Sequence, residues 1–107
     1  MHRNHLPPKE RQARSRISQL GHQDRLLRGS LTVRRHTCGK PTCRCARGHL
    51  HESLYLVQRR DGKLRQLFIP KAWEAKVRQA LGNFQELQAL VDQLSELEWE
   101  RLKNREE

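Results

Sequence analysis

Hydrophobic residues in the C-terminal third of the chain recur at helical spacing. Pro70, a residue that suits the start of a helix, precedes this pattern. The apolar positions are Trp73, Val77, Leu81, Phe84, Leu87, Leu90, Val91, Leu94, Leu97 and Leu102. They predict one long helix within residues 71–107, about 50 Å in length at 1.5 Å per residue. Gly82-Asn83 is a point at which this helix can kink or divide.

The N-terminal part of the chain predicts a shorter and more polar helix. Residues 1–8 end in two prolines and predict a disordered tail. From Lys9 to about Leu27, apolar residues spaced by three and four positions predict a basic helix. Gly29-Ser30 follows and is expected to end it.

The middle of the chain has the alternation of β-strands. Leu31 and Val33 alternate within residues 31–36, which predicts a strand that leads into a group of cysteines. Residues 53–60 and 63–69 predict two further strands joined by Asp61-Gly62. An Asp-Gly pair supplies the positive φ angles of a type I′ turn, so a β-hairpin is expected here.

The charge of the chain is large and unevenly distributed. The net charge is +10, and residues 1–71 hold 17 Lys and Arg against 4 Asp and Glu, whereas residues 72–107 hold 5 against 8. A basic body with a mildly acidic tail is typical of a protein that binds a polyanion and carries a separate non-binding element. No apolar run approaches a membrane span, and no signal-peptide core is visible, so a cytoplasmic protein is expected, nucleoid-associated if it binds DNA.

All three cysteines lie within eight residues, at Cys38, Cys43 and Cys45. Three cysteines cannot pair completely, and in a reducing compartment such a cluster indicates a metal more often than a disulfide. Zn²⁺ takes four thiolate or imidazole ligands in tetrahedral geometry, so a histidine is expected to complete the site. His51, His49 and His36 all remain candidates, because spacing does not choose among them.

The basic residues form three groups that are expected to contact phosphates. They are Lys9, Arg11, Arg14 and Arg16 on the N-terminal helix, Arg34, Arg35, Lys40, Arg44 and Arg47 around the metal site, and Arg59, Arg60, Lys63 and Arg65 on the hairpin. Tyr55, Phe68 and Trp73 are expected in the core, which leaves few aromatic rings to stack bases. Duplex or backbone binding is therefore favoured over recognition of single strands.

A resemblance adds to this interpretation. The segments Arg28-Gly29-Ser30-Leu31, C-G-K-P-T-C-R-C, H-L-H, D-G-K and I-P-K, over roughly residues 26–103, resemble a family of small bacterial and archaeal proteins that carry a domain of unknown function. The resemblance implies a Cys₃His zinc arrangement in which His51, by position, is the fourth ligand. It also implies that the protein is encoded near mobile elements. Glu52-Ser53-Leu54 departs from the Gly-Pro-Tyr that often stands there in the family.

Together these patterns predict an α+β fold: a basic N-terminal helix, a strand, a Cys₃His zinc knuckle, a β-hairpin and a long C-terminal helix. Residues 9–70 are expected to form the basic domain, and residues 71–107 the helix. Residues 73–102 are expected to pair two copies into a homodimer or to dock on a larger protein. The alternative is a helix that folds back on the N-terminal helix of its own chain.

The predicted function is non-catalytic, zinc-stabilised nucleic-acid binding, with DNA favoured over RNA and an association with a mobile element or recombinase. No acidic residue lies within the cysteine cluster to orient a histidine, which disfavours an enzyme that uses a cysteine nucleophile. Two other classes stay open: a protein–protein adaptor that uses the C-terminal helix, and a thiol redox sensor. No membrane partner is expected.

Overall fold

A computed structural model describes residues 7–48 and 50–105. In chain order the elements are helix α1 (Pro8–Gln23), strand β1 (Ser30–His36), a 3-10 turn (Arg44–Arg47), strands β2 (His51–Arg60) and β3 (Lys63–Ile69), a second 3-10 turn (Lys71–Trp73) and helix α2 (Glu74–Lys103). This order confirms the α+β class, with the cysteines between β1 and β2. Within the described ranges no helix is long and apolar enough to cross a membrane.

The ends of the helices differ from the sequence-based expectation. α1 begins at Pro8, which was assigned to the tail, because a proline fits the first turn of a helix. It ends at Gln23, four residues before Leu27, since Asp24 is extended and the Leu27 N–H donates to the Ala80 carbonyl at 3.1 Å. α2 is continuous, so Gly82-Asn83 does not divide it. Residues 1–6 of the predicted tail lie outside the described residues.

The chain divides into two compact units. The helical unit comprises the residues up to Leu27 and those from Gln79 onward, and the sheet unit comprises Arg28–Arg78. This division differs from the expected boundary at residue 70, because α1 belongs with the C-terminal helix. The two units have very different charge. The helical unit holds nine Lys and Arg against nine Asp and Glu, whereas the sheet unit holds thirteen against three and therefore carries the whole net charge.

In the helical unit, α1 lies alongside α2 of the same chain. Ala13 and Leu20 of α1 and Ala80 and Leu81 of α2 are buried, and the Asn83 side-chain amide donates to the Arg25 carbonyl at 3.0 Å. The alternative in which the C-terminal helix folds back on the N-terminal helix is therefore the one observed. Part of the apolar stripe of α2 is still open to solvent, as described below.

In the sheet unit, the three strands form an antiparallel sheet in the order β1-β2-β3. The hairpin between β2 and β3 is confirmed: Asp61 and Gly62 have φ values of +52° and +77°, and Arg60 pairs with Lys63. The register places Leu31 opposite Leu56, and Leu56 opposite Leu67. These residues therefore share one face, which we call the leucine face, and its buried members are Leu56 and Ile69.

Gly29 occupies a position where a side chain has no room. Its φ is +134°, and a Cβ atom there would lie 2.8 Å from the Val57 carbonyl oxygen. The adjacent Arg28 carbonyl accepts a hydrogen bond from the Gln58 amide at 2.8 Å. The glycine of the R-G-S-L segment thus lets the chain enter β1 in close contact with β2.

The aromatic residues are not core residues. Phe68 is 52% exposed and Trp73 is 50% exposed, and Tyr55 is half-buried. The expectation that all three fill the core is wrong for Phe68 and Trp73. Successive residues of a strand point to opposite faces, so Phe68 lies on the face opposite to that of its buried neighbour Ile69.

Candidate metal centre

The loop between β1 and β2 places the cysteines. β1 ends at His36 and β2 begins at His51, and these two residues pair across the ladder. The Cys43 N–H donates to the Lys40 carbonyl at 3.1 Å, which turns the chain through Gly-Lys-Pro-Thr. The 3-10 turn Arg44–Arg47 then directs Cys45 inward, where it is only 2% exposed.

Four candidate ligands converge in this loop. The ligand atoms of Cys38, Cys43, Cys45 and His51, which we call the Cys₃His cluster, all lie within 4.8 Å of one another. The Cys38 and Cys45 sulfurs are 3.4 Å apart, and the Cys43 sulfur is 3.2 Å from Nε2 of His51. Sulfurs bound to one tetrahedral zinc at 2.3 Å are separated by about 3.8 Å. The arrangement therefore fits a single ion held by all four residues.

The three candidate histidines differ in their surroundings. His51 is the member of the cluster, and its ring lies 5.9 Å from that of His36. His36 instead places Nε2 2.7 Å from the Ser53 hydroxyl, outside the ligand group. His49 lies outside the described residues. The structure thus brings His51, and not His36, to the cysteines.

The thiols have unequal acidity. The pKa of Cys38 is lowered by a hydrogen bond from the Lys40 N–H and, to a smaller extent, by the Cys45 thiol. The pKa of Cys43 is lowered by the Cys45 N–H and, to a smaller extent, by the side chains of Cys45 and His51. The Cys38 N–H, 3.3 Å from the Cys45 sulfur, lowers the pKa of Cys45, but burial and the two neighbouring thiols outweigh it and leave that pKa raised. Deprotonated sulfur is the form that binds a metal, so two of the three thiols are prepared for it.

The surface around the cluster is strongly basic. Lys40, Arg44 and Arg47 are exposed, and the loop from residue 37 to residue 50 contains no Asp or Glu. Arg35 forms an exposed ion pair with Glu52 at 3.2 Å. Arg34 lies over the ring of Tyr55, 5.1 Å from its centroid. Cations of this kind offset the net negative charge that a metal with three thiolates carries.

The hairpin places its basic residues around a shallow groove. The groove has a volume of about 370 Å³ and is lined by Arg28, Gln58, Arg59, Arg60, Asp61 and Arg65. Oε1 of the Gln58 side chain accepts from Nε of Arg65 at 2.8 Å, and the Gly62 backbone carbonyl accepts from the Arg59 guanidinium at 3.2 Å. Lys63 is exposed beside the turn. Arg28 was not expected in this group, since its place in the R-G-S-L segment gave no sign that the chain returns it to the hairpin.

The N-terminal basic residues lie in the other unit and are largely paired with acids. Arg14 contacts Glu10 at 3.3 Å, and Arg16 contacts Glu86 at 2.7 Å. Lys9 and Arg11 are exposed. The i, i+4 spacing of Glu10 and Arg14 is a signal that sequence reasoning could have used. The contact with Glu86 joins residues that are 70 positions apart, and no local pattern indicates it.

Residues 6–79, more than two thirds of the chain, match the family described as Domain of unknown function (DUF6788). The chain belongs to the DUF6788 family. The matched region of this DUF6788 protein contains the whole Cys₃His cluster, the hairpin and α1, and it ends near the start of α2. It therefore begins about twenty residues earlier than the segments on which the resemblance was based. Neither curated proteins nor solved structures give a match.

Proposed function

We propose that this DUF6788 protein is a non-catalytic nucleic-acid-binding protein whose basic sheet unit is held in shape by a zinc ion. The observation that carries the proposal is the convergence of three thiols and one imidazole inside a loop that bears only basic charges. Thiolate and imidazole ligands favour zinc over oxygen-seeking ions such as Mg²⁺ or Ca²⁺. Four protein ligands fill a tetrahedral site, which supports a structural rather than a catalytic ion.

A structural ion would stabilise the sheet unit, which has a very small apolar core. Among the described residues of this unit, the buried positions are Cys45, Leu56 and Ile69, and one of these is a candidate ligand. Small domains with so little apolar core depend on metals, disulfides or partners for stability. Zinc would link the loop that follows β1, the 3-10 turn and β2 at one point, because Cys38, Cys45 and His51 lie in these three segments.

The charge distribution supports a polyanion as the partner. The excess of basic residues is confined to the sheet unit, while the helical unit is neutral by formal count. The loop between β1 and β2, which we call the metal loop, carries three basic residues: Lys40, Arg44 and Arg47. In the part of the chain that the structure describes, none of them has a carboxylate within ion-pair distance. Phosphate groups are the natural counterparts of such a surface, and we favour DNA over RNA as their source.

The salt dependence of DNA binding tests this proposal. We expect Arg44→Gln to lower affinity for a labelled DNA duplex in fluorescence anisotropy and to reduce the slope of log affinity against log salt by about 1. Arg16→Gln removes the same charge but from a residue that is already paired with Glu86, so its slope should stay near that of the wild type. Equal losses for both variants would mean that net charge alone drives binding, and would contradict a binding surface on the metal loop.

A second role, as an adaptor or dimer, is favoured by the exposed apolar residues of α2. Val91 is 48% exposed, and Trp99 and Leu102 are each 65% exposed. Large apolar side chains grouped on one helix mark contact sites for proteins. We propose that this part of α2 pairs two copies, or recruits a larger DNA-processing enzyme such as a recombinase.

Light scattering tests the dimer. At high concentration we expect a mass near twice the 12.7 kDa of one chain, which should fall toward one chain in the Trp99→Ala/Leu102→Ala variant. Leu64→Ala is the matched control, because Leu64 is also 65% exposed but lies on the hairpin. A wild-type protein that stays monomeric at all concentrations would rule out self-association. Recruitment of a different protein would then be the remaining role for this part of α2.

A further inference from the structure

The face of the sheet opposite to the leucine face carries a cross-strand pair of aromatic residues. Tyr55 of β2 and Phe68 of β3 are direct cross-strand partners, with ring centroids 5.8 Å apart and an edge-to-face angle of 70°. On the other side of Tyr55, Arg34 of β1 covers its ring at 5.1 Å. We call the surface formed by Arg34, Tyr55 and Phe68 the aromatic face.

These three residues differ in what they leave open to solvent. Tyr55 is half-buried between its two neighbours, whereas Phe68 is 52% exposed and Arg34 is exposed. Edge-to-face contact with Tyr55 restricts the Phe68 ring, so little conformational freedom would be lost when a flat ligand stacks on it. An exposed but braced aromatic ring is what base stacking requires.

The charges on this face are all of one sign. The strand residues that share it, by the register, are Ser30, Thr32, Arg34, His36, His51, Ser53, Tyr55, Val57, Arg59, Leu64, Gln66 and Phe68. This set contains no acidic residue, and Glu52 belongs to the leucine face. Arg34 lies at the centre of the face and Arg59 toward the hairpin, and His51 of the Cys₃His cluster marks its other end. A polyanion with flat rings is therefore the ligand that this surface complements in charge and in shape.

We propose that the aromatic face binds single-stranded DNA, with a base stacked on Phe68 and the backbone phosphates contacting Arg34 and Arg59. From His51 to Arg59 the face extends about 26 Å at 3.3 Å per residue, which is enough for several nucleotides. A duplex would hide its bases from Phe68, whereas a single strand exposes them. The inference rests on the proposed nucleic-acid function and differs from the expected preference for duplexes.

Neighbouring residues of β3 provide a matched pair of variants. Phe68→Ala removes the stacking ring, and Leu67→Ala removes a side chain of similar exposure, 63%, from the opposite face. The probe is fluorescence anisotropy of the zinc-loaded full chain with a labelled oligothymidylate of about 16 nucleotides, and with a duplex of equal length. Thermal unfolding of both variants checks that neither has lost its fold.

We expect Phe68→Ala to weaken binding to the single strand by at least about fivefold, the lower end of what stacking of one base contributes. Leu67→Ala should change it by less than about twofold, and duplex binding should respond little to either variant. Irradiation of a DNA strand substituted with iododeoxyuridine should cross-link the wild-type chain at Phe68 or Tyr55.

Four results would overturn all or part of the inference. Equal weakening by Phe68→Ala and Leu67→Ala would remove the aromatic face as the site. Duplex binding without single-strand binding would leave the proposed function standing and reject this inference alone. No binding of either probe would reject both together. Tighter binding of the corresponding RNA strand would overturn the assignment to DNA.

Discussion

Replacement of Cys45 by serine is expected to abolish zinc binding and to unfold the loop between β1 and β2. Cys45 is 2% exposed, its sulfur lies 3.4 Å from that of Cys38, and the ligand group found among the described residues has no fifth member to replace it. Structural zinc contributes roughly 10–16 kcal/mol of apparent binding free energy in zinc-finger peptides, which equals or exceeds the whole stability of a small domain. Elemental analysis should fall from about one zinc per chain to none.

Histidine variants test which imidazole is the fourth ligand. His51→Ala should also lose the metal, whereas His36→Ala should retain it, since His36 contacts Ser53 instead of the cysteines. His49→Ala tests the remaining histidine of the sequence and should retain the metal as well. In the zinc-loaded wild type all three thiols should resist alkylation, while rapid modification of Cys43 or Cys45 would favour the thiol-sensor alternative. A wild-type chain that folds without metal would reject the zinc site itself.

The second large effect is expected at Glu10, the one buried acidic residue in the described part of the chain. Its side chain is 1% exposed and contacts Arg14 of α1 and Arg101 of α2. A hydrogen bond that involves a charged group contributes about 1.5–3 kcal/mol, and Arg101 keeps a second contact with Glu98 at 3.4 Å when Glu10 is changed. Glu10→Gln should therefore lower the free energy of unfolding by that amount in urea denaturation.

An exposed pair provides the control for Glu10. Glu86→Gln breaks the Arg16–Glu86 pair between the same two helices, but both side chains are more than 40% exposed, so a loss of less than about 1 kcal/mol is expected. Equal losses in the two variants would show that burial of Glu10 does not govern the contact. A negligible loss for Glu10→Gln would mean that the helices are held by apolar contacts alone.

The acid response of the helical unit follows from the same contact. Burial raises the pKa of Glu10, but the guanidinium groups of Arg101 and Arg14 outweigh it and hold that pKa below its ordinary value of 4.5. A carboxyl with a lowered folded pKa stabilises the protein above the unfolded pKa, and this contribution is lost as the pH falls through the folded value. The difference in stability between wild type and Glu10→Gln should therefore shrink as the pH drops below about 4.5. A difference that stays constant in acid would contradict the ion pair.

Local patterns in the sequence were sufficient for the elements and for the cysteine ligands. Asp61-Gly62 specifies its turn through positive φ angles, and the close spacing of the cysteines brings their sulfurs together with little help from the rest of the fold. The long apolar pattern predicted α2, although residues 71–73 of the predicted helix form a separate 3-10 turn before it. Each of these features depends on residues that are near one another in the chain.

Features that depend on distant residues were not accessible in this way. The ion pair of Glu10 with Arg101 joins residues 91 positions apart, and the neutrality of the helical unit appears only when the two ends of the chain are grouped together. The exposure of Phe68 depends on which face of the sheet the core occupies. Because β3 carries a leucine on each face, Leu64 and Leu67, the alternation alone does not identify the buried face. Spacing alone left His51, His49 and His36 open and the resemblance implied His51, whereas the structure groups His51 with the cysteines and places His36 against Ser53.

The affinity of the full chain for DNA with and without zinc tests the proposed zinc-dependent DNA binding most directly. Anisotropy titrations would use the zinc-loaded protein, the same protein after removal of the metal by a chelator, and the chelated protein after zinc is restored. We expect salt-sensitive binding that falls by at least about tenfold on chelation, since the basic loop loses its shape, and that returns with zinc but not with magnesium. Binding that is unchanged by chelation, or no binding by the zinc-loaded chain at low salt, would contradict the proposed zinc-dependent DNA binding.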